Sequence, residues 1–183
     1  KRKKPIASIG FGAGDYFWNS SLSNSQKFKL IRKAINNGIN LIDTAEEYGH
    51  GTSENIIGEA IQDIRNEVII STKFSPNHNG YKEVLKSCNQ SLKRLKTDFI
   101  DIYQVHWPNP AYQLEETMEA LIKLYKDGKI LTIGISNFSL KEIKKAQEYL
   151  GDIPLSSIQM EYNLFERTID KNGITDFCEE NNI

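Results

Sequence analysis

The sequence predicts an α/β fold, a (β/α)8 TIM-type barrel of which about six βα units are present, organised as one partial-barrel domain over residues 1–183. Three observations carry that expectation. Short apolar strands alternate without interruption with helices of amphipathic period. The strand ends recur about every 30 residues, the length of one strand-loop-helix unit. Polar residues stand at successive strand ends: Asp43, Lys73, His106 and the Ser136-Asn137 pair. In a parallel α/β fold, ligands gather outside the carboxyl ends of the strands, so groups delivered there by successive units converge.

The first strand is expected over Pro5–Phe11, ending in Gly10-Phe11-Gly12-Ala13-Gly14. A helix over Ser25–Asn37 follows, with Phe28, Ile31, Ala34 and Ile35 on one face and Gly38 in the C-terminal capping place. Asn40–Asp43 reads as a short second strand, and a loop carries Tyr48-Gly49-His50-Gly51. The helix from Ser53 to Ile64 buries Ile56, Ile57, Ala60 and Ile64. Val68–Lys73 has the β-branched composition of a strand covered on both faces. Leu85, Cys88, Leu92 and Leu95 define a third helix, and Ile100–His106 a fourth strand. Leu114, Met118, Leu121 and Leu124 stripe a fourth helix that ends at Gly128. The fifth strand is Ile130–Ser136, and Ser139-Leu140-Lys141-Glu142 is a capping box for the fifth helix. Ser157–Met160 is the sixth strand. The segment Ile174–Ile183 reads as a helix cut where its next strand should begin, so a fragment is expected, with units seven and eight absent.

Six units do not by themselves separate an open doubly wound sheet from a barrel. The glycine run is a poor dinucleotide fingerprint, because Phe17 stands where the third glycine should be. Candidate residues spread over strands two to six suit a closed barrel better, since all its strand ends face one cavity.

Composition narrows the function classes. The chain is 39% hydrophobic and 26% charged, which fits a globular protein and not a disordered one. A formal net charge of -1 gives no global attraction to nucleic acid or anionic membrane. The basic run Lys1-Arg2-Lys3-Lys4 reads as a solvated arm. No apolar run approaches the ~20 residues needed to cross a bilayer, and no signal-peptide core follows the basic start. Two cysteines, Cys88 and Cys178, make no disulfide framework and point to buried thiols in a reducing cytoplasm.

Tyr48 is the sharpest candidate for chemistry. A free phenol, with a pKa of about 10, is a poor proton donor near neutrality. A nearby lysine ammonium stabilises the phenolate and eases proton transfer. Lys73 could supply that charge, Asp43 could pair with it, and His106 could orient a carbonyl oxygen. Together they make a site for carbonyl reduction that needs a hydride donor from outside the protein. Taken singly each has a plainer explanation: a turn cap for Asp43, a solvated strand end for Lys73, a structural role for His106, surface packing for Tyr48. The joint placement argues against scattered, independent causes. Tyr16, Phe17, Trp18, Trp107 and Tyr112 offer an aromatic pocket lining.

The stretch Asn40-Leu41-Ile42-Asp43-Thr44-Ala45-Glu46-Glu47-Tyr48-Gly49 resembles the signature of the aldo-keto reductases. The resemblance continues through Ile70-Ser71-Thr72-Lys73, Tyr103-Gln104-Val105-His106-Trp107-Pro108, Ile133-Gly134-Ile135-Ser136-Asn137-Phe138 and Ile158-Gln159-Met160-Glu161-Tyr162-Asn163. It implies a barrel that binds NADP(H) across its C-terminal mouth and reduces a small-molecule carbonyl substrate. It implies the tetrad Asp43, Tyr48, Lys73 and His106, with Tyr48 as general acid. It implies that Ser136, Asn137 and Gln159, with Asp43, bind the cofactor, and that His106 and Trp107 face the substrate. No role for Glu46 or Glu47 carries over from it. No metal, nucleic acid or membrane partner is implied, and the oligomeric state is left open. Two other readings keep the barrel: a Schiff-base lyase using Lys73 as nucleophile, and a non-catalytic cofactor-sensing subunit.

Overall fold

The computed structural model describes residues 5–18 and 20–183, so the basic run at residues 1–4 lies outside the described residues, as do the side chains of residues 15 and 16. Six parallel strands form one sheet in the order β1-β2-β3-β4-β5-β6. They are β1 (Phe11–Gly12), β2 (Leu41–Asp43), β3 (Ile69–Phe74), β4 (Ile100–Val105), β5 (Ile130–Ser136) and β6 (Leu155–Gln159). The order matters. A doubly wound sheet reverses direction and places later strands on the far side of the first, whereas each strand here pairs with its predecessor in turn. Sequential parallel order with intervening helices is the pattern of six units of a (β/α)8 barrel.

The helices are α1 (Asp15–Trp18), α2 (Asn24–Asn36), α3 (Thr52–Ile61), α4 (Tyr81–Arg94), α5 (Leu114–Lys126), α6 (Leu140–Leu150) and α7 (Ile174–Asn181). Ser139 and Glu142 form the expected reciprocal cap of α6, and Ser23 with Gln26 makes a second one at α2. Gly38 and Gly128 follow α2 and α5 at φ of +92° and +72°, the left-handed conformation that closes a helix without a Cβ clash.

Strand alternation divides the sheet into two chemically different faces. Ile42, Ile70, Phe74, Tyr103, Val105, Ile133 and Ile135 are buried on the helix side, against Ile57, Ala60, Cys88, Met118, Leu121 and Ile143. The opposite face of the same strands carries Asp43, Ser71, Lys73, Gln104, Ser136 and Gln159. All six residues of β3 are buried, as its composition predicts. Cys88 lies in the core, where burial pushes its thiol up to about 12 and leaves it unreactive. Among the described residues no helix is long and apolar enough to cross a membrane.

Three expectations are corrected. The first strand is not Pro5–Phe11 but the two residues Phe11–Gly12. The Asn40 side chain takes the place of ladder bonds, accepting from Ala7 N at 2.9 Å and donating to Pro5 O at 2.8 Å. On α2, Lys27 replaces Phe28 on the buried face, Phe28 being 37% exposed. The Lys27 ammonium donates to Trp18 O at 2.9 Å and lies 4.6 Å from the centroid of the Trp18 ring, so both its charge and its stem are accommodated. The sixth strand starts at Leu155, two residues early, across a register irregularity at Ile133/Gly134.

Candidate active site

The polar face of the sheet ends in one connected cluster. Asp43 closes β2, and its neighbour across the ladder is Ser71 on β3. Two residues further along β3, Lys73 points the same way as Ser71, because strand side chains repeat with period two. Its Nζ donates to Asp43 Oδ2 at 2.7 Å and to Thr44 O at 2.9 Å. The Lys73 side chain is 2% exposed and that of Asp43 is 20% exposed. Burial lowers the Lys73 ammonium below the ordinary lysine value, opposed first by Asp43 and then by Glu54.

Asp43 is held from several sides. Ser71 Oγ donates to its Oδ1 at 3.0 Å, and Gln159 Nε2 lies 3.4 Å from Oδ2. Gln104 Nε2 donates to both Ser71 Oγ (2.8 Å) and Gln159 Oε1 (3.0 Å), tying β3, β4 and β6 into one layer. Tyr48 comes from the loop between β2 and α3. Lys73 Nζ is 5.4 Å from the centroid of its ring, and the His106 ring meets it edge to face at 5.7 Å. Gly49 lets this loop lie flat against Trp18: its φ is +58°, and a Cβ there would overlap the indole.

His106 follows β4 and is mostly buried, its side chain 13% exposed. Burial pushes its imidazole below the usual value, and the Lys73 charge adds to that; Glu47 and Asp43 oppose it. Asn137, at φ +63°, donates from Nδ2 to His106 O and to Ser136 Oγ, both at 2.9 Å. The strand ends of β4 and β5 are thereby pinned to each other. Asp43, Tyr48, Lys73, His106, Ser136, Asn137 and Gln159 all fall in one region at the carboxyl end of the sheet.

The aromatic lining is less uniform than expected. Phe17 is 8% exposed and stacks edge to face on Phe11 at 5.3 Å, so it belongs to the core. Tyr112 donates from its hydroxyl to Asn77 O at 2.7 Å. Trp107 remains 50% exposed beside His106. The side chain of residue 16 lies outside the described residues.

Several residues of the cluster escaped the sequence reading. Ser71 and Gln104 stand two places before Lys73 and His106, so polar residues at alternate positions of otherwise apolar strands could have revealed them. Glu46 and Glu47 carried no such signal. Glu46 Oε1 accepts from Ser75 N at 2.6 Å and lies 2.7 Å from His78 Nδ1. Glu47 Oε1 accepts from Ser75 Oγ at 2.9 Å, and its Oε2 is 3.1 Å from His106 Nδ1. Beneath the site a buried Glu54 accepts from Thr72 Oγ1 and Arg94 Nε, each at 2.6 Å.

The Aldo/keto reductase family model matches residues 8–183. Aldo-keto reductase YhdN of Bacillus subtilis (strain 168) is 39% identical, covering 96% of this chain and 55% of its own length. The chain thus spans about half the length of the curated relatives it matches. Among solved structures, the thermostable aldo-keto reductase Tm1743, in complex with the inhibitor epalrestat, superposes with a TM-score of 0.90 at 34% identity, covering 99% of this chain and 67% of that one. An aldo/keto reductase from Klebsiella pneumoniae, in complex with NADP and acetate, does so with 0.88 at 32% identity, covering 97% and 62%.

Proposed function

This chain belongs to the aldo/keto reductase family, and from that premise we propose that the whole protein reduces an aldehyde or ketone to an alcohol, with NADPH as cofactor and Tyr48 as general acid. The observation that carries the reading is the Lys73–Asp43 ion pair, its ammonium buried 5.4 Å from the centroid of the Tyr48 ring. Asp43 anchors the ammonium, and Thr44 O fixes its direction. The charge stabilises the phenolate that forms as Tyr48 gives its proton to the carbonyl oxygen. His106, edge-on to Tyr48, holds that oxygen in place.

The donor set fits the amide end of a nicotinamide. Ser136 Oγ and the Asn137 and Gln159 amides offer both donors and acceptors at one rim of the cluster. Asn137 spends both Nδ2 hydrogens on His106 O and Ser136 Oγ, which leaves its Oδ1 to accept from an amide. Gln159 Nε2 is engaged only at 3.4 Å and remains available to donate. When bound, NADPH supplies the hydride to the carbonyl carbon. The 183-residue chain by itself, spanning six units, is a poor catalyst in this reading.

Tyr48→Phe in the whole protein tests the assignment. The ring keeps its packing and only the transferable proton is lost, so turnover falls by about 10²- to 10⁴-fold with cofactor affinity retained. Retention of more than about a tenth of the activity would assign the acid elsewhere. The buried, lowered Lys73 keeps one rival in view, a Schiff-base lyase. Its Nζ already serves two acceptors, and sodium borohydride with a carbonyl substrate separates the readings, since a covalent lysine adduct arises only from an imine.

A further inference from the structure

We infer that Glu47 is a positioning residue for His106, fixing which ring nitrogen carries the proton and supporting the imidazolium form. The inference rests on the carbonyl-reductase reading of the same site and deepens it.

Glu47 is itself held. Its Oε1 takes the proton of Ser75 Oγ at 2.9 Å, and Ser75 is 5% exposed at the end of β3, with its backbone N–H on Glu46. The other oxygen, Oε2, faces His106 Nδ1 at 3.1 Å. The approach has the distance of an ion pair without the alignment of a full hydrogen bond. The carboxylate therefore bridges the ends of β3 and β4, with the imidazole at one end of the bridge.

The chemical consequence follows from the imidazole itself. A carboxylate facing Nδ1 favours a proton on that nitrogen and repels a lone pair there. In the neutral ring that choice leaves Nε2 with a lone pair, which cannot donate to a carbonyl oxygen. Donation through Nε2 then requires the doubly protonated ring. The charged groups facing the ring are Lys73, which opposes its protonation, and Glu47 and Asp43, which favour it; the Tyr48 ring covers one edge. Glu47 is the one of these anions within ion-pair reach of the imidazole. Carbonyl reduction is accordingly strongest on the acid side and falls as pH rises through the His106 midpoint.

Glu47→Gln in the whole protein keeps an acceptor of similar shape and removes the charge. His106 is followed by ¹H–¹⁵N NMR, its resonance identified by its loss in His106→Asn, beside kcat/KM as a function of pH. The expected result is a His106 midpoint displaced to lower pH, with the alkaline limb of kcat/KM displaced in the same direction. At a pH above the parent's limb, turnover falls with the displacement, by about tenfold for each pH unit, since the protonated fraction changes by that factor. A midpoint that does not move in Glu47→Gln overturns the inference whether or not the protein turns over. If the parent reduces no carbonyl while the midpoint still moves, the contact stands and the reductase reading fails.

Discussion

Replacing Arg94 with methionine should destabilise the protein far more than removing a surface cation does, because it strands Glu54. The Glu54 side chain is 0% exposed, and its two oxygens are satisfied by Thr72 Oγ1 and Arg94 Nε, each at 2.6 Å. Glu46 Oε2 lies a further 3.9 Å from the same guanidinium, so a second carboxylate shares the cation. Removing one partner of a buried ion pair costs about 3–5 kcal/mol, because the remaining charge is left in a poorly polarisable interior. The Arg94 side chain is 22% exposed, so water reaches the gap and the expected loss is near the lower end, about 3 kcal/mol. Adding Glu54→Gln to Arg94→Met removes the stranded charge and keeps an acceptor for Thr72. The double variant should therefore recover about 2 kcal/mol, a coupling typical of contacting groups. Urea unfolding of the parent, both single variants and the double variant closes the cycle, with slopes compared so that a change in the unfolded state is not mistaken for a change in stability. A loss below about 1 kcal/mol for Arg94→Met, or a double variant less stable than it, would show that the pair is solvated and that this reasoning fails.

Two further outcomes follow from the geometry. Gly49→Ala should lower turnover more than it lowers stability, because the added methyl overlaps the Trp18 indole and pushes the Tyr48 loop off its seat; a kcat equal to the parent's would mean the loop adapts freely. The 183-residue chain in isolation should self-associate and bind NADPH weakly, since among the described residues β1 and β6 each pair on one side only and Leu164 and Phe165 are 86% and 96% exposed. A monodisperse monomer in size-exclusion chromatography that binds NADPH at micromolar concentration, about -8 kcal/mol, would contradict this.

The sequence made β3 to β5 and their helices legible because tertiary packing there agrees with local pattern. Val68–Lys73 opens on an apolar, β-branched run, and every residue of the strand Ile69–Phe74 is buried. Leu85, Cys88, Leu92 and Leu95 repeat at helical spacing and do face the core. Disagreement appears where one side chain replaces a regular element. Asn40 stands in for the ladder of the first strand, and Lys27 fills an apolar position by handing its charge to Trp18 O. Neither substitution leaves a periodic trace. Asp43, Lys73 and Ser136 were readable because they close the strands expected from the sequence, whereas Ser71 and Gln104 lie within theirs and were passed over. Glu46 and Glu47, adjacent acids in a loop, look like solvent-facing charge until Ser75, His78 and His106 are placed beside them.

That division has a physical basis in the sheet. Successive side chains of a strand serve opposite faces, so Ile70, Thr72 and Phe74 meet the helices while Ser71 and Lys73 meet Asp43 and Gln104. Burial on the helix face supplies stability without involving the polar layer, and the polar layer can hold a desolvated ammonium because that burial keeps its strands in register. Lys73 shows what the arrangement tolerates: burial acts against its charge, and Asp43 and Thr44 O offset that loss through two short contacts. Tyr48 and Glu47, which come from a loop, are steadied by fixed neighbours, the Trp18 surface under Gly49 and the buried Ser75 hydroxyl. In this cluster the desolvated ammonium of Lys73 and its partner Asp43 are strand-borne, whereas Tyr48 and Glu47 reach them from the loop.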